Sequence, residues 1–559
     1  SESSKANNVY SSLQLRNGGN GAENEGRVKC RDGFMQSIAK RMGNIDYQAY
    51  QPVSFYLNGK YMGLMGLRER TNKAFIAANY GYDEDEIDVI EIVNEGYSAT
   101  CGDTMAYSRM IAFASQNYAN EDFLFELNNY MDVEEYINYM IFEQFVVNTD
   151  WPGNNCKLWR HRSDGRFRWI SFDTDFGLGL YEAGANNYCD VNSDMINWSM
   201  GVGNINWAND EDWITILFRS LMKNDDFKQM LLTKYMMHLG TIFQEEEIDA
   251  VWDSVVAEVG KEFCKEFAKE YHDVDLDNVG KDMVKFAKNR TNVIYKQLAN
   301  RYELSETLAN LKVSCKNESC AFYINNALVE QNNYTLKCLS GMKVELAAKL
   351  PEGYVVKKWK VGSEEYTTST VNLTVDSDVD VVLYVDECDV VIPNIVINEI
   401  CSKNTFWEDA SGSKPDWIEL YNAGDVAVDL AGLYLSDNPL NLLLHKIPSG
   451  YSSSVIQPKG HMLLWADDLV GTSPLHVGFK LSDTSGETIT LSKVINDSIV
   501  ILDQVTYKTL GENRSYGRVE DGSKEFAVFE TCATGFGGSA TPGATNGTID
   551  CDQLLRENS

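Results

Sequence analysis

The hydrophobic pattern of this chain changes period once, and that change limits the fold more than any other feature. From about residue 211 to 302 the apolar residues recur at helical spacing, as in "DWITILFRSLMKNDDFKQMLLTKYMMHLGTIF". That block carries no chemical motif and reads as core packing. From about 303 the runs are short and alternating, with Gly, Pro and Asn between them: "LKVSCKNESCAFYINN", "STVNLTVDSDVDVVLYVDE". The change of pattern suggests a module boundary, and 559 residues at about 150 per domain suggest three or four domains. The expected fold class is therefore multidomain. An α+β region over 1–302 precedes a small all-β module over 303–390. A further β-rich domain after Pro393, over 394–547, and a polar tail over 548–559 complete the chain.

Within the first 300 residues, "VSFYLNGKYMGLMGLRER" reads as two strands about Asn58-Gly59, a strong hairpin turn. "TNKAFIAANYG" reads as a short helix stopped by Gly81. "DVEEYINYMIFEQFVV" (132–147) has Asp132 as N-cap and Glu135 three residues on, a capping-box pattern. Val133, Tyr136, Ile137, Met140, Ile141 and Phe145 share one of its faces.

Charge excludes one class of partner. Lys+Arg 49 against Asp+Glu 82 gives −33, so the chain repels nucleic acid and anionic membranes. No run approaches the 18 apolar residues of a membrane span. No signal peptide is visible before the polar opening "SESSKANNVY", so an export signal is expected to be removed or to lie outside this stretch. The twelve cysteines divide five, four and three among the three domains, which argues against a disulfide framework within each and leaves pairs such as Cys315–Cys338 open. With no CxxC, no HExxH and no Cys/His cluster, a structural zinc site is not expected.

Two clusters carry the chemistry. "NTDWPGNN" (148–155) follows the helix and cannot continue it, because of Pro152 and Gly153. A hairpin, "LWRHR" and "RFRWIS" about "SDG", then delivers "FDTDFG" (172–177). Asp150 with Asn155 five positions on, a hairpin, and then Asp173 and Asp175 is an order that phosphoryl transfer can use: one carboxylate orients the attacking hydroxyl, and oxygen ligands hold a divalent cation against the phosphates. The bland alternative is that Asn148, Asp150 and Asn154 satisfy a helix end and a turn, with Asp173 and Asp175 at a solvated strand end or a Ca²⁺ turn. Trp151, Trp159 and Trp169 could stack a base or sugar, but such positions are more often core.

The blocks "LQLRNGG", "RDGFMQSIAKRMG", "YLNGKYMGLMGLRERTNKAFIAANYG", "NTDWPGNNCKLWR" and "WISFDTDFG" resemble, in order, the spore coat protein H (CotH) kinase-like family over roughly 13–300. The resemblance implies an exported atypical kinase that transfers the ATP γ-phosphate to Ser of an exported protein, with Mg²⁺ or Mn²⁺. It implies Asp150 as the catalytic acid, Asn155, Asp173 and Asp175 as metal-holding positions, and Arg16 and Glu69 as nucleotide-binding positions. The family's Lys-bearing, glycine-containing segment is expected upstream of the "LRN" block, and many members carry a Lys where this chain has "IDVIEI" (87–92). Without those cations, ATP binding is expected to be weak. A pseudokinase is the other explanation of their absence.

"IVINEICSKN", "DWIELYNAGDVAVDLAGLYLSDN", "FKLSDTSGETITL" and "ATPGATN" resemble a bacterial lamin-tail domain, which implies an immunoglobulin-like β-sandwich. Glu399, Asp416 and Glu419 look like a metal cluster there but read better as turn and edge chemistry. The middle module resembles internalin-B-type repeats. Both resemblances imply an extracytoplasmic location. Two functions compete with the kinase: a catalytically inactive modular surface or adhesion protein, and a metal-dependent phosphoester hydrolase using Asp150, Asp173 and Asp175. The sequence leaves the oligomeric state and the acceptor open.

Overall fold

Asn58 and Gly59 both take positive φ, 51° and 78°, and close the first hairpin as the NG pair predicts. The computed structural model describes residues 10–19, 28–93, 96–120, 123–128, 130–162, 165–180, 190–203, 206, 208–267, 276–317, 320–350, 354–387, 392–448, 452–468, 475–495, 498–529 and 540–546. The polar tail lies outside these residues. The chain divides into two compact units, one reaching Glu387 and the other starting at Cys388.

In the first unit, β1 (Leu13–Arg16) is followed by α1 (Arg31–Met42), the short β2 (Asp46–Tyr47), then β3 (Gln51–Leu57) and β4 (Lys60–Glu69). β1, β4 and β3 form an antiparallel sheet in that order. α2 (Lys73–Tyr80) is capped by Asn72, whose side chain accepts from the Phe75 N–H, and ends on left-handed Gly81. β5 (Ile87–Val93) and β6 (Gly96–Cys101) lead to α3 (Met105–Asn117), α4 (Phe123–Leu127) and α5 (Val133–Val146). β7 (Cys156–His161) and β8 (Arg168–Ser171) are the expected hairpin and complete a second sheet in the order β2-β8-β7-β5-β6. The "IDVIEI" segment is thus an inner strand of that sheet.

α5 differs from its amphipathic reading, because every residue from Glu135 to Val146 is buried. Its N-cap is half a capping box. Asp132 accepts from the Glu135 N–H at 3.1 Å, but the Glu135 carboxylate accepts from the Trp169 N–H at 3.0 Å. A helix sunk this deeply gives its polar groups tertiary partners in place of local ones. Trp151, Trp159 and Trp169 are all core residues, at most 3% exposed. The Trp151 and Trp159 ring N–H groups donate to Tyr139 and Asp46.

The region 211–302 forms four helices: α7 (Asp212–Leu221), α8 (Asp225–Leu239), α9 (Glu245–Phe267) and α10 (Leu276–Arg301), after the short α6 (Met195–Ser199). No helix among the described residues is long and apolar enough to cross a membrane. Nine strands over 308–387 form two sheets, and their apolar faces share one continuous core with the helices, reaching from Val28 to Leu383. Asn325, on a turn of this module, donates to Thr233 of α8 at 3.0 Å. Cys338 pairs with Ala309, six residues along the strand from Cys315, so about 20 Å separates the two cysteines and no disulfide joins them. Cys30, Cys101, Cys156, Cys315, Cys320, Cys338 and Cys401 are free thiols.

The second unit is mostly β. Its main sheets have six and four strands, with a core that runs from Ile395 to Leu510. This matches an immunoglobulin-like arrangement built from inward-facing alternate residues.

Candidate active site

The end of α5 sets up the first half of the site. Val147 caps the helix at φ 55°, a strained position for a β-branched residue. Asn148 then fixes the next turn. Its amide donates to Glu143 Oε2 at 2.9 Å, and its side-chain oxygen accepts from the Asp150 N–H at 3.2 Å. Burial pushes the Glu143 carboxyl up to about 8, with the Asn148 bond opposing. The Asp150 carboxylate accepts from Asn154 at 3.0 Å and from Asn155 at 2.6 Å. The Asn155 amide also reaches the Asp173 carbonyl at 3.5 Å, so one side chain spans both clusters.

The second half hangs on the start of α1. Asp32 is buried and accepts from the Thr174 N–H at 2.9 Å and hydroxyl at 2.6 Å, and its other oxygen pairs with Arg68 at 2.6 Å. Burial alone would raise the Asp32 carboxyl, yet Arg68, Arg16 and Thr174 together hold it below its ordinary value. Arg31 donates to the carbonyls of Gly177 and Leu178, both at 2.9 Å. Thr174 is therefore clamped between Asp173 and Asp175 while the turn after them is held from α1. Asp173 sits at φ 54° and Asn155 at φ 50°, so both residues lie in the left-handed region and are held by their surroundings.

Arg16, at the end of β1, pairs with Asp173 and lies 3.7 Å from Asp175. Gly19 follows three residues later. A Cβ there would meet Asp175 Oδ2 at 2.0 Å, so the chain passes directly over that carboxylate and a side chain at this position would displace it.

The structure thus brings Asp150, Asn155, Asp173, Asp175 and Arg16 together. It does not bring Glu69 into contact with them. Cross-strand register sets Arg16 opposite Gly66 and Leu13 opposite Glu69, so alternation places Arg16 and Arg68 on one face of the sheet and Glu69 on the other. The Glu69 carboxylate accepts from Asn79 of α2 at 3.3 Å. Burial pushes the Asp150 carboxyl up to about 6, with Asn154 opposing and Asp173 adding to it. A carboxylate near that value is suited to exchange a proton near neutral pH.

The donor set fits a hard divalent cation: two carboxylates and an amide whose nitrogen end is turned to Asp150, leaving its oxygen for a metal. Arg31, Asp32, Arg68 and Lys157 were not singled out from the sequence. The first two lie in the "RDGFMQ" block, but nothing local shows that Asp32 reaches Thr174.

In the second unit, Glu399, Asp416 and Glu419 do not form a shared site. Glu399 accepts from Thr541 and Ser515, and Glu419 from Asn398 at 2.9 Å and from the Gly543 N–H at 2.6 Å. Asp416 instead holds the Asn404 N–H at 2.9 Å. These are the structural bonds of strands closed by the 540–546 segment. The one mixed His/Asp cluster with metal-ligand spacing among the described residues is Asp409, Asp467 and His476.

Comparison with known proteins matches residues 20–294 to the family described as CotH kinase protein and residues 391–509 to the Lamin Tail Domain. No curated protein matches. Among solved structures, a DUF4876 family protein from Bacteroides thetaiotaomicron VPI-5482 is similar at 9% identity, over 39% of this chain and 87% of that one, with a TM-score of 0.15. The chain therefore carries a CotH kinase domain followed by a C-terminal lamin tail domain.

Proposed function

We propose that this protein is an exported atypical kinase that transfers the γ-phosphate of ATP to Ser of an exported protein acceptor. Membership of residues 20–294 in the CotH kinase family suggests an atypical kinase. The observation that carries the reading is the Asn155 amide, which ties the Asp150 carboxylate to the Asp173 backbone. Asp150 would accept the seryl proton, its carboxyl being held near neutral pH by burial. Asn155, Asp173 and Asp175 would hold Mg²⁺ or Mn²⁺, which would neutralise phosphate charge. Arg16 stands beside them as a cation for the nucleotide. The middle β module, of internalin-B type in this reading, and the lamin tail domain would serve the extracytoplasmic setting.

One observation favours the inactive surface-protein reading. Arg16 already neutralises Asp173, so metal and nucleotide must compete with an internal ion pair. Incubating the protein with γ-labelled ATP, Mg²⁺ or Mn²⁺ and a Ser-rich acceptor separates the three readings. Label on Ser supports the kinase, and release to water alone supports the hydrolase. Neither turnover nor metal-dependent nucleotide binding supports the inactive protein. In an active protein, Asp150→Ala should lower turnover by on the order of 10²–10⁴-fold.

A further inference from the structure

The site as described is rich in carboxylates, and its arginines are already paired: Arg16 with Asp173 and Asp175, and Arg68 with Asp32. A polyphosphate needs more positive charge than this. One further cation lies at hand. Lys157 stands on β7 two residues beyond Asn155, opposite Glu91 of β5 in the strand register. Its ammonium is 3.4 Å from Glu91 Oε1, 3.2 Å from the Thr71 carbonyl and 3.3 Å from the Thr71 hydroxyl. It also sits 4.6 Å above the ring of Phe172, the residue preceding Asp173.

Burying an ammonium costs several kcal/mol after relaxation, so its place here asks for a reason. Tethering the Thr71 segment to the sheet does not require a full charge, since a neutral amide could make the same bonds to Thr71.

We infer that Lys157 is the phosphate-facing cation of the nucleotide site, positioned by Glu91 across the β5–β7 ladder. The inference rests on the kinase reading above. An ammonium is a compact point charge suited to phosphate oxygens, and Glu91, about one-third exposed, holds it at the strand edge from which Asn155 and Phe172 also emerge.

The test uses the full chain and calorimetry with Mn²⁺, titrating ATP, ADP and adenosine in turn. Lys157→Met should weaken ATP and ADP by roughly tenfold to a hundredfold and leave adenosine unchanged. Lys157→Arg should keep most of the ATP affinity. Should the Met variant fail to fold, Lys157→Gln, which preserves bonds to Thr71, takes its place with the same expectation. Unchanged ATP affinity in the neutral variants overturns the inference while leaving the kinase reading intact. An equal loss for ATP and adenosine also overturns it, because Lys157 would then only shape the pocket. A wild-type chain that binds none of the three ligands removes the kinase reading itself, and the inference with it.

Discussion

Asp150→Asn should make this protein more stable at neutral pH even as it removes the proton acceptor. The Asn side chain keeps the shape of Asp and can present its oxygen to Asn154 and Asn155, which now donate to the carboxylate at 3.0 and 2.6 Å. What it removes is a charge that burial disfavours. The folded carboxyl is pushed up to about 6, against an ordinary value near 3.9. At 1.36 kcal/mol per pH unit that gap corresponds to roughly 3 kcal/mol, and partial solvent screening reduces it to about 1–3 kcal/mol. Below about pH 4 the group is protonated in both folded and unfolded chains, and the variant gains nothing. As pH rises from about 4 to about 6 the unfolded chain releases the proton while the folded chain keeps it, so the wild type progressively loses stability. Above about 6 the loss is complete and the variant holds its full advantage. Scanning calorimetry of both proteins in chelator, near pH 4 and near pH 7.5, reads this directly. Equal stability near pH 7.5, or a gain of the same size near pH 4, would refute the claim that burial raises this carboxyl.

Arg68→Met should destabilise the first unit by about 3–5 kcal/mol, because it strands the buried Asp32 carboxylate. Adding Asp32→Asn should recover most of that in denaturant titrations, and a double variant no better than the single one would contradict the pairing. Asp132→Ala should cost about 1 kcal/mol in the same assay by freeing the Glu135 N–H. Residues 394–547 expressed alone should give a β-type circular dichroism spectrum with a cooperative melt, since their core runs from Ile395 to Leu510 without help from the first unit.

What was legible in the sequence was local. The NG turn, the Gly81 helix stop and the hairpin between the acidic clusters are each written in adjacent residues, and the hairpin alone suffices to bring Asp150 near Asp173. What escaped was set by distant partners. Asp32 finds Thr174 across 142 positions, and no spacing rule connects them. Lys157 carries no motif and gains meaning only from Glu91 in the neighbouring strand. Glu69 entered through the family resemblance as a nucleotide-binding position, and strand alternation sets it on the sheet face opposite Arg16 and Arg68. Glu135 fits the local capping pattern, yet burial of α5 gave its carboxylate to Trp169.

The unbroken core from Val28 to Leu383 has a mechanical meaning. Close-packed interiors are stiff and transmit strain, so the change of pattern near residue 303 is not a hinge. The sheets of 308–387 and the helices before them respond to force as one solid. A load applied at Glu387 would enter strands whose core is continuous with that of the helices.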